Sequence, residues 1–148
     1  MKEYIETHKR YVKFYNDRNL EFEDMLISDY NHIRAFIKIE DGCDNFCSYC
    51  IIPYVRGSVR SKNFETVIKE AKLLTQKGHK EIVLTGIHTG HYMDNDYDLT
   101  DLINELSKIE DLLRIRISSI EITELNDKFL NMLSTNKKVC DHLHIPLQ

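Results

Sequence analysis

Three cysteines, Cys43, Cys47 and Cys50, fall within one short string, Gly42-Cys43-Asp44-Asn45-Phe46-Cys47-Ser48-Tyr49-Cys50, and the fourth cysteine, Cys140, is far away in the chain. A small secreted domain spreads paired cysteines as staples. Thiols three or four apart in one loop suit several thiolates on a single metal centre in a reducing compartment. The spacing C-x3-C-x2-C offers three thiolates. Structural zinc takes four protein ligands and a closed shell, whereas a [4Fe–4S] cluster held by three thiolates leaves one iron open to a small molecule. A zinc site would have to recruit a distant fourth ligand, and a redox switch is the remaining reading.

S-adenosylmethionine can fill such an open iron through its amino and carboxylate groups. An electron passed into its sulfonium would cleave a C–S bond and give a 5′-deoxyadenosyl radical, with the cofactor doing the chemistry and the protein positioning it. No catalytic acid or base is assigned, because hydrogen abstraction by a radical does not demand one.

The elements that must position this loop follow from periodicity. Ile33, Ala35, Ile37 and Ile39 alternate with Arg34, Phe36, Lys38 and Glu40, the period of a strand that runs into the cysteine loop. Residues 62–77 place Phe64, Val67, Ile68, Ala71 and Leu74 on one helical face, and Gly78 follows where a C-terminal cap glycine belongs. Glu81 to Thr85 reads as a short buried strand ending at Gly86, and a polar loop carrying His88 and His91 leads to Asp98. Leu99, Leu102, Ile103, Leu106 and Ile109 mark a second helix, with Asp98 or Thr100 available as cap. Residues 114–122 (RIRISSIEI) predict a third strand, Asn126 to Leu133 a third short helix, and Val139 to Ile145 a fourth strand.

The alternation of strands and helices predicts an α/β fold with a parallel sheet and right-handed crossovers, either open or part of a barrel, whose ligands gather at the carboxyl ends of the strands. The cysteine loop and Gly86 both fall on that edge. About four strands are present and the chain stops after the fourth. A full (βα)8 barrel needs about 250 residues, so the expectation is a partial barrel truncated at its C-terminus. Residues 1–31, where Tyr4, Ile5, His8, Tyr11, Val12 and Tyr15 recur at roughly helical spacing, are read as a lead-in or linker, and residues 32–148 as the core.

The 148 residues are 42% hydrophobic and 30% charged, which suits one globular domain or a large piece of one and excludes disorder and fibres. No apolar run approaches a membrane span and the first 30 residues lack a signal-peptide core, so the expected setting is cytoplasmic. A formal charge of −4 gives no overall field for holding nucleic acid, and an RNA substrate would need local contacts or another domain.

The cysteine spacing after a first strand resembles the defining motif of the radical S-adenosylmethionine superfamily, whose cores are full or partial (βα) barrels. The longer string DGCDNFCSYCIIPYVRG at 41–57, with LTGIHTGHY at 84–92, RIRISSIEI at 114–122 and HLHIPLQ at 142–148, is similar to the MiaB-type tRNA methylthiotransferases, most of all their MtaB subgroup. This resemblance implies that Cys43, Cys47 and Cys50 hold the cluster. It further implies addition of a methylthio group at C2 of N6-threonylcarbamoyladenosine at tRNA position 37, with one S-adenosylmethionine supplying the radical and another the methyl. It also implies an auxiliary [4Fe–4S] cluster in an amino-terminal domain, and a carboxy-terminal RNA-binding domain, neither of which is in these residues. Partners would be tRNA and an electron donor such as flavodoxin or ferredoxin. Sibling specificities for isopentenyladenosine-37 or a ribosomal-protein aspartate are the nearest alternatives, and a zinc-binding structural or RNA-binding module is the alternative of another class.

Further residues are expected near the cofactor. Tyr49 occupies the position of an adenine-packing aromatic in the superfamily, or else simply shields the cluster from water. Gly86 lets backbone approach the methionine moiety, or is a plain turn glycine. Ser118, Ser119 and Glu121 contact the ligand or form an internal polar network, and Gln148 reaches the same region. Arg56, Arg60 and Lys62 form the most basic local stretch and are candidates for tRNA phosphates, against the alternative of ordinary surface charge. Cys140, His142 and His144 share one face of the fourth strand, which points to a polar barrel interior more than to a metal site.

Overall fold

In the computed structural model the described residues are 21–23, 25–27 and 31–147, so the periodicity of residues 4–15 and the position of Gln148 lie outside them. The elements are β1 (Arg34–Lys38), β2 (Glu40–Asp41), α1 (Ile52–Arg56), β3 (Arg60–Ser61), α2 (Phe64–Gln76), β4 (Glu81–Thr85), a 3-10 turn at Thr89–His91, β5 (Met93–Asp94), β6 (Tyr97–Asp98), α3 (Leu99–Leu106), β7 (Arg114–Ile117), a 3-10 turn at Ile122–Glu124, and α4 (Asp127–Thr135).

The frame is a parallel sheet in the order β1-β4-β7, with Ala35 opposite Ile82 and Ile82 opposite Ile115. The crossovers carry α2 and α3, as parallel strands require. Period two divides the side chains between two faces. Ala35, Ile37, Ile82, Leu84, Ile115 and Ile117 pack with Val67, Ala71, Leu74, Leu102, Ile103 and Leu106 of the helices into one apolar cluster. The opposite face is polar: Glu81 accepts from Arg116 Nε at 3.0 Å and faces Arg34 Nε and Arg114 Nη1 at 3.8 Å each. One face thus provides the core and the other the interior wall of a partial barrel.

Helix ends are fixed by local chemistry. Asn63 caps α2, its Oδ1 accepting from Thr66 N at 3.1 Å, and Gly78 after α2 takes φ +98, a conformation open to glycine. Asp98 and Asp101 form a reciprocal capping box at the start of α3, and Asn126 caps α4 through Phe129 N.

The expected third and fourth strands are shorter than the sequence pattern. Only Arg114–Ile117 stays in the ladder, because Ser119 turns its carbonyl to the Thr89 hydroxyl and Glu121 opens the capped turn at Ile122–Glu124. Over 139–145 the pairing reduces to one parallel bridge, Ile115 to Val139. Cys140 N donates to Ile115 O at 2.9 Å, but His142 N then folds back onto Cys140 O at 2.7 Å, and the segment rejoins only where Ile120 N reaches His144 O at 3.1 Å. The expected common face of Cys140, His142 and His144 therefore does not form. Likewise Ile33, read as a strand residue, is 90% exposed and precedes β1.

Leu84 is fully buried in the central strand. Leu84→Ala is expected to cost about 2–5 kcal/mol through lost contacts and a residual cavity, and Asn63→Ala about 1 kcal/mol through the lost cap, both read from denaturant midpoints at unchanged slope.

Candidate functional site

The cysteine loop begins where β1 ends. Gly42 has φ +86, and a Cβ there would come within 2.7 Å of the Ser58 carbonyl carbon and 2.8 Å of Gly57 O, so this turn takes only glycine. Cys43 N donates to Gly57 O at 3.1 Å and Val59 N donates to Asp44 Oδ2 at 3.1 Å, which stitches the loop to the chain after α1. Phe46 at φ +45 reverses the backbone, and Cys50 N donates to Cys47 O at 2.9 Å.

All three loop cysteines are free and half-buried. Burial pushes the Cys43 thiol up; the Asn45 N–H, 3.5 Å from its Sγ, works the other way, and the charges of Cys47, Glu40 and Cys50 add to the rise. Three thiols gathered in one turn fit a positively charged metal centre, which would favour their deprotonation and offset the repulsion between the resulting charges. Cys140, by contrast, is level with Ile115, near the amino end of the sheet. The carboxyl edge is about 10 Å further along the strands at the usual strand rise, so Cys140 is not placed to complete a four-ligand zinc site with the loop.

Two adjacent carboxylates hold the loop from opposite sides. Asp41 accepts from Lys38 Nζ at 2.8 Å, Gly42 N at 2.9 Å, Arg60 Nη2 at 2.9 Å and Arg56 Nη1 at 3.3 Å. Burial works to raise its pKa, but these donors and cations hold it below the ordinary value. Glu40 points the other way and is fully buried: its Oε2 accepts from His88 N at 2.6 Å, and its Oε1 has no hydrogen-bond partner among the described residues. Burial pushes its pKa up to about 7 against the His88 N–H, and the neighbouring Asp41 charge adds to the rise.

Gly86 sits directly over this carboxyl, since a Cβ there would lie 2.6 Å from Glu40 Oε2. The space a glycine opens at the end of β4 is thus taken by Glu40. Tyr49 is mostly exposed beside the loop; partial desolvation and then the charges of Cys47, Cys50 and Glu121 hold its phenol above the ordinary value. Ser118 Oγ is buried with no partner among the described residues, and Ser119 Oγ is 2.8 Å from His144 Nδ1. Glu121 N donates to Glu124 Oε2 at 2.9 Å.

The basic stretch is differently disposed from a free phosphate-binding patch. Arg60 is committed to Asp41 and to Arg56 O, while Arg56 keeps about half its side chain exposed. Lys62 is 3% exposed, paired with the buried Glu70 and donating to Met25 O at 2.8 Å, so it presents no charge to a ligand at the surface. Sequence reasoning passed over Glu40, Asp41 and Glu124. The acidic pair immediately before the Gly-Cys turn was the one available signal.

Residues 37–148 match the family described as the Radical SAM superfamily. The chain is 50% identical over 118 residues to the threonylcarbamoyladenosine tRNA methylthiotransferase MtaB of Bacillus subtilis, covering 78% of this chain and 26% of that protein. It is 35% identical to the tRNA-2-methylthio-N(6)-dimethylallyladenosine synthase of Natranaerobius thermophilus, covering 97% of this chain and 33% of that one. The chain therefore spans between a quarter and a third of the length of these curated relatives. Among solved structures, the radical S-adenosylmethionine methyltransferase TsrM of Kitasatospora setae, with cobalamin and a [4Fe-4S] cluster bound, superposes with a TM-score of 0.60 at 17% identity over 75% of this chain and 22% of that one, a likeness of fold.

Because Glu40 titrates near 7 when folded and near 4.5 when unfolded, the native state holds the extra proton between those values. Stability from this group is therefore present below about pH 4.5 and lost as pH rises through about 7. In the cluster-free protein, Glu40→Gln is expected to flatten the fall in melting temperature across that interval; an unchanged pH profile would show that Glu40 does not carry it.

Proposed function

Since the chain belongs to the radical S-adenosylmethionine superfamily and, within it, to the methylthiotransferases of the MtaB and MiaB type, we propose that it forms the radical-generating part of an enzyme that methylthiolates adenosine 37 of tRNA. The observation that carries the reading is the loop itself: three free thiols at the carboxyl edge of a parallel sheet, with the fourth cysteine held at the other end.

In this reading Cys43, Cys47 and Cys50 hold the [4Fe–4S] cluster. Tyr49, Ser118, Ser119 and Glu121 lie around S-adenosylmethionine, and Ser118 Oγ, buried and unpartnered among the described residues, is the donor most in need of a ligand. Gly86 acts through Glu40, letting that carboxyl fix the turn that borders the cofactor. When bound, cluster and cofactor together supply a carbon radical able to take hydrogen from an unreactive C–H bond. The chain's own residues position and shield. Asp41 fixes the loop, Tyr49 and Phe46 cover its outer side, and Arg56 offers a half-exposed guanidinium to a tRNA phosphate.

The finer assignment is N6-threonylcarbamoyladenosine as the base modified at C2, supported by the 50% identity to the Bacillus subtilis relative of that name. The dimethylallyladenosine-type relatives at 35–41% identity keep the sibling specificity as the alternative. The auxiliary cluster of an amino-terminal domain, a flavodoxin- or ferredoxin-type electron donor and a cytoplasmic setting belong to the same proposal.

Two measurements test it. Anaerobic reconstitution is expected to give about four irons per chain and an EPR signal of the reduced protein that changes on adding S-adenosylmethionine, with Cys47→Ala abolishing both; a wild-type chain that takes up zinc and no iron would sink the reading. For the base, residues 31–147 grafted in place of the matching segment of the Bacillus subtilis relative should yield 2-methylthio-threonylcarbamoyladenosine by mass spectrometry of digested tRNA. A methylthiolated isopentenyladenosine would establish the sibling specificity instead.

A further inference from the structure

The turn after β4 carries two histidines: His88 has its Nδ1 3.9 Å from Cys43 Sγ, and its Nε2 is turned away from the cysteine loop toward Glu124. Residues 89–91 form a 3-10 turn, so His88 and His91 lie one turn apart on the same side. Their rings stack with centroids 3.8 Å apart and planes 28° apart. Both Nε2 atoms converge on one oxygen, Glu124 Oε1, which is in direct contact with His88 and 3.4 Å from His91. One ligand atom from each residue can be chosen so that all lie within 4.8 Å of one another.

We propose that His88, His91 and Glu124 form a second metal site, adjoining the cysteine loop but sharing none of its thiols, for one divalent first-row transition-metal ion such as zinc or ferrous iron. Two imidazole nitrogens and one carboxylate oxygen are the donor set such ions take.

Three features show that the convergence is built by the fold. Glu124 Oε2 is already used by Glu121 N at 2.9 Å, so the carboxylate is oriented with Oε1 left for a cation. Gly90 supplies the room: a Cβ there would overlap the Glu124 carboxylate, coming within 2.9 Å of Oε1 and closer still to the other two carboxylate atoms. The Thr89 hydroxyl, bonded to Ser119 O, pins the histidine turn against the segment that carries Glu124.

The ligand atoms are sheltered. His88 and Glu124 side chains are 5% and 8% exposed, and Nε2 of His88 and Oε1 of Glu124 meet without a well-formed hydrogen bond. A single divalent ion serves both nitrogens and the carboxylate at once. His91 is the more exposed ligand and borders a cavity of about 410 Å³ also lined by Gly90, Glu124, Asn126 and Phe129, from which water or another small ligand would complete the shell.

The test uses cobalt(II), whose spectrum reports its ligands, titrated anaerobically into the chain with Cys43, Cys47 and Cys50 all changed to serine. About one cobalt per chain is expected, with visible bands of a four- or five-coordinate site and without sulfur-to-metal charge transfer. His91→Ala and Glu124→Gln should each weaken binding by about tenfold or more. A folded triple variant that takes up no cobalt, or that holds it as tightly after His91→Ala, overturns the proposal. Should the triple variant not fold, the cluster-loaded wild-type protein is incubated with zinc, desalted and its metals counted. One zinc beyond the irons, lost in His91→Ala, supports the site, and no zinc, or zinc that survives that substitution, overturns it.

Discussion

A carboxyl group with no access to water governs the carboxyl edge of this sheet. Glu40 leaves the end of β1, passes beneath Gly86 and accepts from the backbone of His88, so it joins the strand that feeds the cysteine loop to the turn that follows the central strand. Burying a carboxyl costs several kcal/mol unless it is hydrogen-bonded or neutral. Here the cost is met partly by the His88 N–H and partly by a raised proton affinity. Any side chain at Gly86 would evict the group, and any other rotamer of Glu40 would leave the His88 amide unpaired. The two strand ends are thereby held in one arrangement.

Asp41 completes this constraint from the outside. Successive residues of a strand face opposite ways, so Glu40 turns inward and Asp41 outward from the same two-residue element. The outward carboxylate gathers Lys38, Arg56 and Arg60, which ties the residues before and after the cysteine loop together. Isolated surface ion pairs contribute little. Here the Asp41 carboxylate is 9% exposed and shares its oxygens with the Gly42 amide, the position where the backbone must take a positive φ. The cysteine loop is therefore fixed at its base.

Much of this was legible in the sequence, and what was not has a common cause. β1, β4, α2 and α3 were marked by unbroken periodicity, and Asp98 and Asn126 by capping chemistry that acts over three residues, whereas the Asn63 cap was not read. The failures involve partners distant in sequence. RIRISSIEI and VCDHLHI alternate like strands, yet whether the ladder continues depends on Thr89 taking the Ser119 carbonyl and on His142 folding back on Cys140. Arg60 and Lys62 read as a basic patch because their acceptors, Asp41 and Glu70, are 19 and 8 residues away. The pairing of His88 with Glu124 was equally invisible, since it requires the crossover through α3 and β7 to bring the two turns together.

On the proposed reading, the distribution of charge follows from the chemistry of the cysteine loop. A reaction begun by electron transfer needs no side chain poised to gain or lose a proton at the reacting atom. It needs three thiolates held so that one iron remains open, and a potential set by hydrogen bonds and exposure. The Asn45 amide 3.5 Å from Cys43 Sγ supplies such a bond, and Phe46 of the loop packs edge to face on Tyr54 with ring centroids 5.5 Å apart. Glu40 and Asp41 at this edge instead accept from backbone amides, and Asp41 also from neighbouring cations. These contacts lie within the protein itself, so the ends of β1 and β4 are held together independently of any bound group.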